Sequence, residues 1–512
     1  MDHTSVTPTT RLLITVAVMT ATLIQVLDTT IVNVALPHME GSLSATPDQI
    51  SWVLTSYLVA SAILMPLTGY FTDTLGQKKY LLISIAGFVL ASALCGAAAN
   101  ITQIVLFRLL QGVFGAALVP LSQSILTSVY PPEDRGKAMA IWGVGVMVGP
   151  ILGPTLGGYL TDIASWRWNF YINVPIGILC LLLSMRVIPD SPIKERKMDW
   201  IGLTLISVAI GGAQYFLDRG NHDDWFHSTN IAFAAFLSVM SFLGFLLHSL
   251  GKDTKKTVFD LSIFKDRNFT IASSLLSLFG LGLFGGMVII PLMLEGLFDY
   301  PVLTTGLIMA PRGISGLISM IIVGKLIKYV DPRWLILFGT ILSGVGMYYG
   351  TYYNTDISWG WVVGPILLQG FGLGMVFVPI STVAFSTLPV HSRAEAAGLF
   401  SLLRTLGSSV GISIVATVYA RMSQTAWNQL GGHINPFNPA VNHYLQPLHL
   451  ASDSKMGEMV LTKVLIMQSQ MVSFVDVFMF ITASFVIMIP LIFLIKKTNY
   501  KQAQTAPPVM TD

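Results

Sequence analysis

The chain has 512 residues, of which 53% are hydrophobic and only 11% charged, with a mean hydropathy of +0.69. Soluble domains carry about 25% charged residues, so this composition excludes a soluble globular protein and specifies one embedded in a lipid bilayer. The net charge of +3 comes without any basic cluster interleaved with aromatics, so nothing points to a nucleic-acid binder.

A short, mostly polar N-terminus precedes an apolar run over 12–37 with no small-residue cleavage site. That run reads as a retained first helix rather than a signal peptide. Windows of about 20 apolar residues predict fourteen spans: 12–37, 50–71, 80–99, 104–129, 138–160, 170–189, 200–218, 230–250, 269–294, 304–329, 334–353, 360–388, 396–420 and 474–495. Polar loops join them, the longest being 421–473. The expectation is therefore an all-α polytopic membrane protein. With the N-terminus inside, 21 of the 29 Lys and Arg fall on the inner side and five (Arg167, Arg219, Arg421, Lys455, Lys463) on the outer side. Positive charge marks the cytoplasmic face, so both termini are expected there and 421–473 outside. Cys95 and Cys180 lie within apolar spans and read as small buried hydrophobes.

An offset of 258 residues superimposes Asp73 on Asp331, Gln111-Gly112 on Gln369-Gly370 and Arg135 on Arg393. It also places Ala138 on Ala396, Gly149 on Gly407 and Gly153 on Gly411. The chain thus divides into an N-terminal six-helix bundle over 12–189, an inserted pair over 200–250, and a C-terminal bundle over 269–495. Repeated bundles about a midplane site are a transporter architecture.

Four stretches carry the chemistry. Asp28 lies inside the first span, where a carboxylate costs roughly 2.5–3.5 kcal/mol on insertion scales. Such an acid is either satisfied structurally by a neighbouring helix or is a proton or substrate site. Arg108, in the fourth span, lies at a similar depth of roughly 12–14 Å below the outer surface, which permits pairing, whether as a static link or as a switchable one. Gln25, Asn33 and Gln111 share these spans and are candidates to line a cavity. The loop Gly69-Tyr-Phe-Thr-Asp73-Thr-Leu-Gly76-Gln-Lys78-Lys79 closes the second span on the inner side. Its Asp73 is placed to hold the inner face shut at the N-terminus of another helix. In the fifth span Gly145, Gly149, Gly153 and Gly157, with Gly158, form a ridge that admits a neighbouring backbone. Pro150 and Pro154 remove donors from that helix and favour a bend. Arg312 and Arg404 are the remaining embedded charges, either snorkelling or binding cargo.

Enzyme chemistry finds no footing. The nine His are scattered without metal spacing, and glycine runs such as Gly370-Phe-Gly372-Leu-Gly374 lack the strand–turn–helix setting that holds phosphate. No cofactor or metal is expected; with no ATP site, energy comes from an ion gradient or from the solute itself.

These motifs resemble the fourteen-helix drug:proton antiporters of the major facilitator superfamily, EmrB type, over nearly the whole chain. The resemblance rests on the stretches around Asp28, 69–79, 108–115 and 145–158. More specific are Trp166-Arg167-Trp168-Asn169-Phe170-Tyr171-Ile172-Asn173-Val174-Pro175, Leu217-Asp218-Arg219-Gly220, Asp224-Trp225-Phe226, Arg267-Asn268-Phe269-Thr270-Ile271 and Asn435-Pro436-Phe437-Asn438-Pro439. Thr74 and Gln77 depart from the loop motif, which usually has basic residues there. The resemblance implies that Asp28 binds the proton, Arg108 assists its transfer, and Arg404 matches an Arg of the thirteenth span. It implies an inner-membrane exporter of lipophilic compounds, working with a periplasmic membrane-fusion adaptor and an outer-membrane channel. Because no further membrane acid is evident, neutral or anionic lipophiles are the expected cargo. Export of an endogenous metabolite or siderophore is the alternative within transport; a passive channel or a non-transporting scaffold is the alternative outside it.

Overall fold

A computed structural model describes residues 7–496 except 132–133, 195, 251–256, 390–391, 436 and 453. Among the described residues there is no strand, and the chain is a succession of helices. They are α1 (Pro8–Ser42), α2 (Pro47–Leu64), α3 (Thr68–Leu75), α4 (Gln77–Ala97), α5 (Ile101–Gly115), α6 (Leu118–Val129), α7 (Arg135–Ile163), α8 (Trp168–Tyr171) and α9 (Asn173–Val187). There follow α10 (Trp200–Arg219), α11 (Thr229–Leu250), α12 (Arg267–Gly296), α13 (Val302–Leu326), α14 (Pro332–Tyr348), α15 (Trp359–Ala384), α16 (Arg393–Gly431), α17 (Pro439–Leu445) and α18 (Lys455–Ile492). Thirteen helical stretches among the described residues are long and apolar enough to cross a membrane. The 29-residue α7 sits between the fourth and fifth of them. Two spans are broken: a 3-10 turn at Met65–Leu67, carrying Pro66, separates α2 from α3, and a turn before Pro120 separates α5 from α6. Proline lacks the N–H that would continue the ladder.

Helix starts follow the sequence closely. Thr46 and Gln49 form a capping box on α2, Asn100 accepts from the Gln103 N–H at 2.9 Å, and Asp266 from the Phe269 N–H at 2.8 Å. Outward faces are apolar, as at Phe233, Leu247 and Leu250 of α11, which are largely exposed and suited to lipid. Cys95 and Cys180 are buried free thiols.

The glycine ridge of α7 lies on α1. A Cβ on Gly149 would stand 2.9 Å from the Val26 carbonyl carbon, Gly153 faces Thr30, and Gly157 faces the Ile31 carbonyl. Thr30 seals the contact by donating to the Gly149 carbonyl at 3.1 Å. The second copy of the repeat does the same: Gly407 and Gly411 of α16 lie on Ser277 and Leu281 of α12. Arg135 and Arg393, related by the 258-residue offset, each begin their helix. The backbone of α7 stays helical through 150 and 154; the side chains there lie outside the described residues.

The 421–473 segment differs from the loop expected. α16 runs for 39 residues and α18 for 38, about 57–58 Å each at 1.5 Å per residue, against a hydrocarbon core of about 30 Å. Most of the segment is these two helices continuing past the membrane, capped by α17 and a small cluster of Val441, Leu445 and Leu461. Hydropathy falls after 420, but no helix breaker occurs before Gly431-Gly432.

The N-terminal half (α1–α9) and the C-terminal half (α12–α18) pack together at the end carrying residues 76–79. There Trp142 stacks on Phe377 with ring centroids 5.5 Å apart, Gly136 meets Ile327, and Gly398 meets the Met65 carbonyl. Towards the opposite end α10 stands between α2 and α16.

Candidate functional site

The densest polar construction lies within the N-terminal half. α1 turns Gln25 and Asp28 inward, three residues apart and hence on one face. α5 does the same with Arg108 and Gln111, and α9 contributes its first residue, Asn173. Arg108 Nη1 donates to Asp28 Oδ2 at 2.5 Å, while Gln111 Nε2 and Asn173 Nδ2 donate to Asp28 Oδ1 at 2.9 and 3.0 Å. Arg108 is further held by the Val53 carbonyl at 3.0 Å from Nε and by Gln111 Oε1 at 2.8 Å from Nη1. Its guanidinium lies 4.3 Å over the Tyr57 ring, and Gln25 donates to that ring's hydroxyl at 3.1 Å. Asn173 also donates to Ser92 at 3.1 Å, which in turn donates to the Phe170 carbonyl.

Asp28 is 0% and Arg108 1% exposed. A buried ion pair of this kind is held together because removal of either partner strands the other's charge away from water. The arrangement balances one buried charge of each sign, and a proton added to Asp28 would cancel its charge and leave Arg108 in need of another acceptor. The equal depth of Asp28 and Arg108 in the sequence is realised as direct contact. Asn173 and Tyr57 were not legible as partners of Asp28 and Arg108; Asn173 stood out only as part of the Trp166–Pro175 stretch that carries the family resemblance.

The remaining candidates are distributed. Asn33 is exposed on α1 and outside this network. Arg312 is 6% exposed on α13, and its Nη2 donates to the Leu283 carbonyl at 3.3 Å. Arg404 is half-buried on α16, with its carbonyl beside Gly280 of α12. Gly145 faces Met19, and Gly158 has room, its nearest neighbour to an added Cβ being Val34 at 3.8 Å.

At the closed end, Gly69 lies flush on Glu395, where any Cβ would clash. Gly76 takes φ +82, the left-handed region that suits glycine, and lets the Gln77 N–H reach Ser191 at 2.6 Å. Lys78 approaches Asp190 at 3.9 Å, and Lys79 is exposed. The Asp73 carboxylate meets Arg196 at 3.5 Å and Lys194 at 3.9 Å rather than a helix N-terminus. Arg196 reaches on to Glu395 of α16 at 3.3 Å and to the Thr257 and Val258 carbonyls at 3.0 and 3.2 Å. Glu395 also accepts from the Asp260 N–H at 2.6 Å. In the sequence Arg196 counts only among the inner-side basic residues, and Glu395 lies just before the thirteenth predicted span without drawing notice.

The sequence model of the Major Facilitator Superfamily matches residues 18–412. The chain belongs to that superfamily. Among curated relatives, Multidrug export protein EmrB of Escherichia coli (strain K12) is 37% identical over 430 residues, covering 83% of this chain and 84% of EmrB. Fatty acid resistance protein FarB of Neisseria gonorrhoeae is 34% identical over 488 residues, covering 94% and 96%. These likenesses place the chain in the EmrB-type drug:proton antiporter family. The proton:xylose symporter XylE matches in fold with a TM-score of 0.63 at 14% identity, over 96% of this chain and 97% of XylE. As a member of this superfamily the chain is a multi-pass membrane transporter of small molecules.

Proposed function

We propose that this protein is a proton-coupled multidrug efflux transporter of the bacterial inner membrane. The observation that carries the reading is the sealed network in which Asp28 accepts from Arg108, Gln111 and Asn173. Residues 12–189 and 269–495 act as two bundles rocking about the midplane, with 200–250 inserted between them. Protonation of Asp28 removes half of its ion pair, so the two ends of the rocking motion differ in the charge that must be buried. The glycine ridge of α7 on α1 supports movement of one helix past the other without side chains in the way. The end packed shut, through 69–79, is the cytoplasmic one, and the structure is then outward-facing. The 421–473 protrusion is periplasmic and is the part that meets a membrane-fusion adaptor and, through it, an outer-membrane channel. The named activities of EmrB and FarB support lipophilic cargo, and the absence of a second deeply embedded acid supports neutral or anionic compounds.

In inside-out vesicles, Asp28→Asn is expected to abolish efflux driven by a pH gradient while the protein remains folded in the membrane. Full gradient-driven efflux by that variant removes Asp28 from the mechanism. Uphill transport collapsed by a protonophore separates an antiporter from a channel or scaffold. Preferential export of quaternary ammonium dyes overturns the cargo assignment.

A further inference from the structure

The two halves treat their embedded arginines differently. Arg108 in the N-terminal half is fully answered, by a carboxylate, an amide and a carbonyl. Arg312 in the C-terminal half is not. It lies ten residues into α13, about 15 Å along the helix and so near the middle of a core about 30 Å thick. It is 6% exposed, yet only Nη2 has an acceptor, the Leu283 carbonyl at 3.3 Å, while Nε and Nη1 are buried without a partner. A guanidinium has five N–H donors and no acceptor, so it is satisfied only by acceptors that its neighbours or a ligand supply. Against the Arg312 guanidinium lie the Leu283 backbone and Gly286, with the Met347 methyl on Gly286; Gln369, whose Oε1 is also buried without a partner, stands beyond Met347 on Gly346.

A second cation borders the same stretch of helix. The carbonyl of Arg404 lies beside Gly280 of α12, three residues before Leu283, and accepts from the Ser408 hydroxyl at 2.8 Å, while among the described residues its guanidinium forms no hydrogen bond or ion pair. No described carboxylate pairs with either arginine. Glu395, the buried acid of this half, is already engaged at the closed end by Arg196 and the Asp260 N–H. A buried, unanswered charge is costly, and intramembrane charges that persist in that state face a pathway or a ligand. What is missing is an anion, and the apolar lining demands that it arrive attached to an apolar body.

We propose that Arg312, supported by Arg404, is the head-group subsite for a lipophilic monoanion: a carboxylate or delocalised anion on a hydrophobic frame. The proposal rests on the reading of the chain as an exporter of lipophilic compounds and adds to it the residue that senses cargo charge. A neutral analogue of the same shape leaves the guanidinium unanswered, so the site discriminates by charge and not by size. The Asp28 network takes no part in this discrimination, because its own donors are already engaged.

The test is equilibrium binding to the full chain in lipid nanodiscs, with empty discs as the partition control and no pH gradient. The probes are a fluorescent aryl-alkyl carboxylate and its methyl ester, measured in gluconate and in chloride buffers. The wild type is expected to favour the carboxylate by about tenfold or more, the scale of one charge-assisted hydrogen bond. Arg312→Gln is expected to bring that ratio close to unity, Arg312→Lys to keep most of it, and Arg404→Gln to reduce it partway. A wild type without preference, or a Gln variant that keeps the ratio, overturns the proposal. So does a preference erased by chloride, which makes the site one for an inorganic ion. Should the Gln variant fail to fold, the wild-type ratio and the Lys variant still decide. With no gradient applied, failure here leaves proton coupling untouched, and failure of Asp28→Asn to affect efflux leaves this ratio untouched.

Discussion

Asp28 accepts three hydrogen bonds from two other helices, two from α5 and one from α9, and these are of unequal worth. The bond from Arg108 carries full charge on both sides; those from Gln111 and Asn173 are neutral amides on an anion. Gln111 has a further duty, since its Oε1 accepts from Arg108 while its Nε2 donates to Asp28, which fixes the amide's orientation. The physics of a sealed pair gives a non-additive expectation. Arg108→Gln strands a carboxylate at 0% exposure and is expected to cost about 3–5 kcal/mol of stability. Adding Asp28→Asn to that variant removes the stranded charge and is expected to restore much of the loss. Thermal melts of the purified single and double variants check this, and a double variant less stable than Arg108→Gln alone refutes it. The sequence revealed the two charged partners because an ionised group in an apolar run is conspicuous. It did not reveal Asn173 or Tyr57, because an amide or a phenol carries no such signal until its neighbours are known.

Among the elements, α10 is the one whose position was least legible. Hydropathy marks a helix as membrane-spanning but not which side faces protein, since lipid tails are as apolar as leucine. The structure gives α10 three working faces. Tyr215 stacks on Trp52 of α2 at 5.8 Å, Thr55 of α2 donates to Asp218, and Arg219 donates to Ser51 at 2.9 Å. Gln214 donates to Ser409 of α16 at 2.9 Å, and Ser413 of α16 to the Leu217 carbonyl at 2.7 Å. Gly212 packs on Ala234 and Ser238 of α11. α10 thus bonds both halves at once and occupies the gap between α2 and α16, where their direct approach would close that end. Replacing Gln214 and Asp218 by Ala is expected to let α2 and α16 approach each other more often. Spin labels at Gln49 and Met422 would then show a distance distribution moved to shorter values; an unchanged distribution argues against α10 as a spacer. The glycine ridge of α7, by contrast, was fully legible, because a four-residue period of small residues has a geometric meaning that no neighbour can alter. The 421–473 segment was legible as the longest polar connection but not as helix, since length and polarity say nothing about whether the ladder continues.

For the whole molecule, the decisive quantity is the balance between the closed end and its open alternative, and one guanidinium holds much of it. Arg196 joins Asp73 of the N-terminal half to Glu395 of the C-terminal half, with side chains of Arg196 and Glu395 only 10% exposed. In the sequence it was one of many inner-side basic residues counted for topology, and nothing distinguished a residue that sets orientation from one that also fastens the two halves. Removing it does more than delete two ion pairs: Glu395 loses its cation, Asp73 keeps only the more exposed Lys194 at 3.9 Å, and the like charges of the two carboxylates push the halves apart. Neutralising one acid instead, as in Glu395→Gln, weakens the fastening without adding repulsion. Arg196→Ala is therefore expected to open this end more than Glu395→Gln does. If each loses at least the ~1.4 kcal/mol that equals a tenfold shift, the effect is visible by labelling. A cysteine placed at Ser401, 2% exposed near the α2–α16 contact, reports on it in inside-out vesicles through its reaction with a membrane-impermeant maleimide. The native thiols are buried and serve as background. The expected order of labelling rates is Arg196→Ala, then Glu395→Gln, then the unmodified fastening. An Arg196→Ala rate equal to that of the unmodified chain shows that the apolar contacts of Trp142, Gly398 and Gly69 close this end alone.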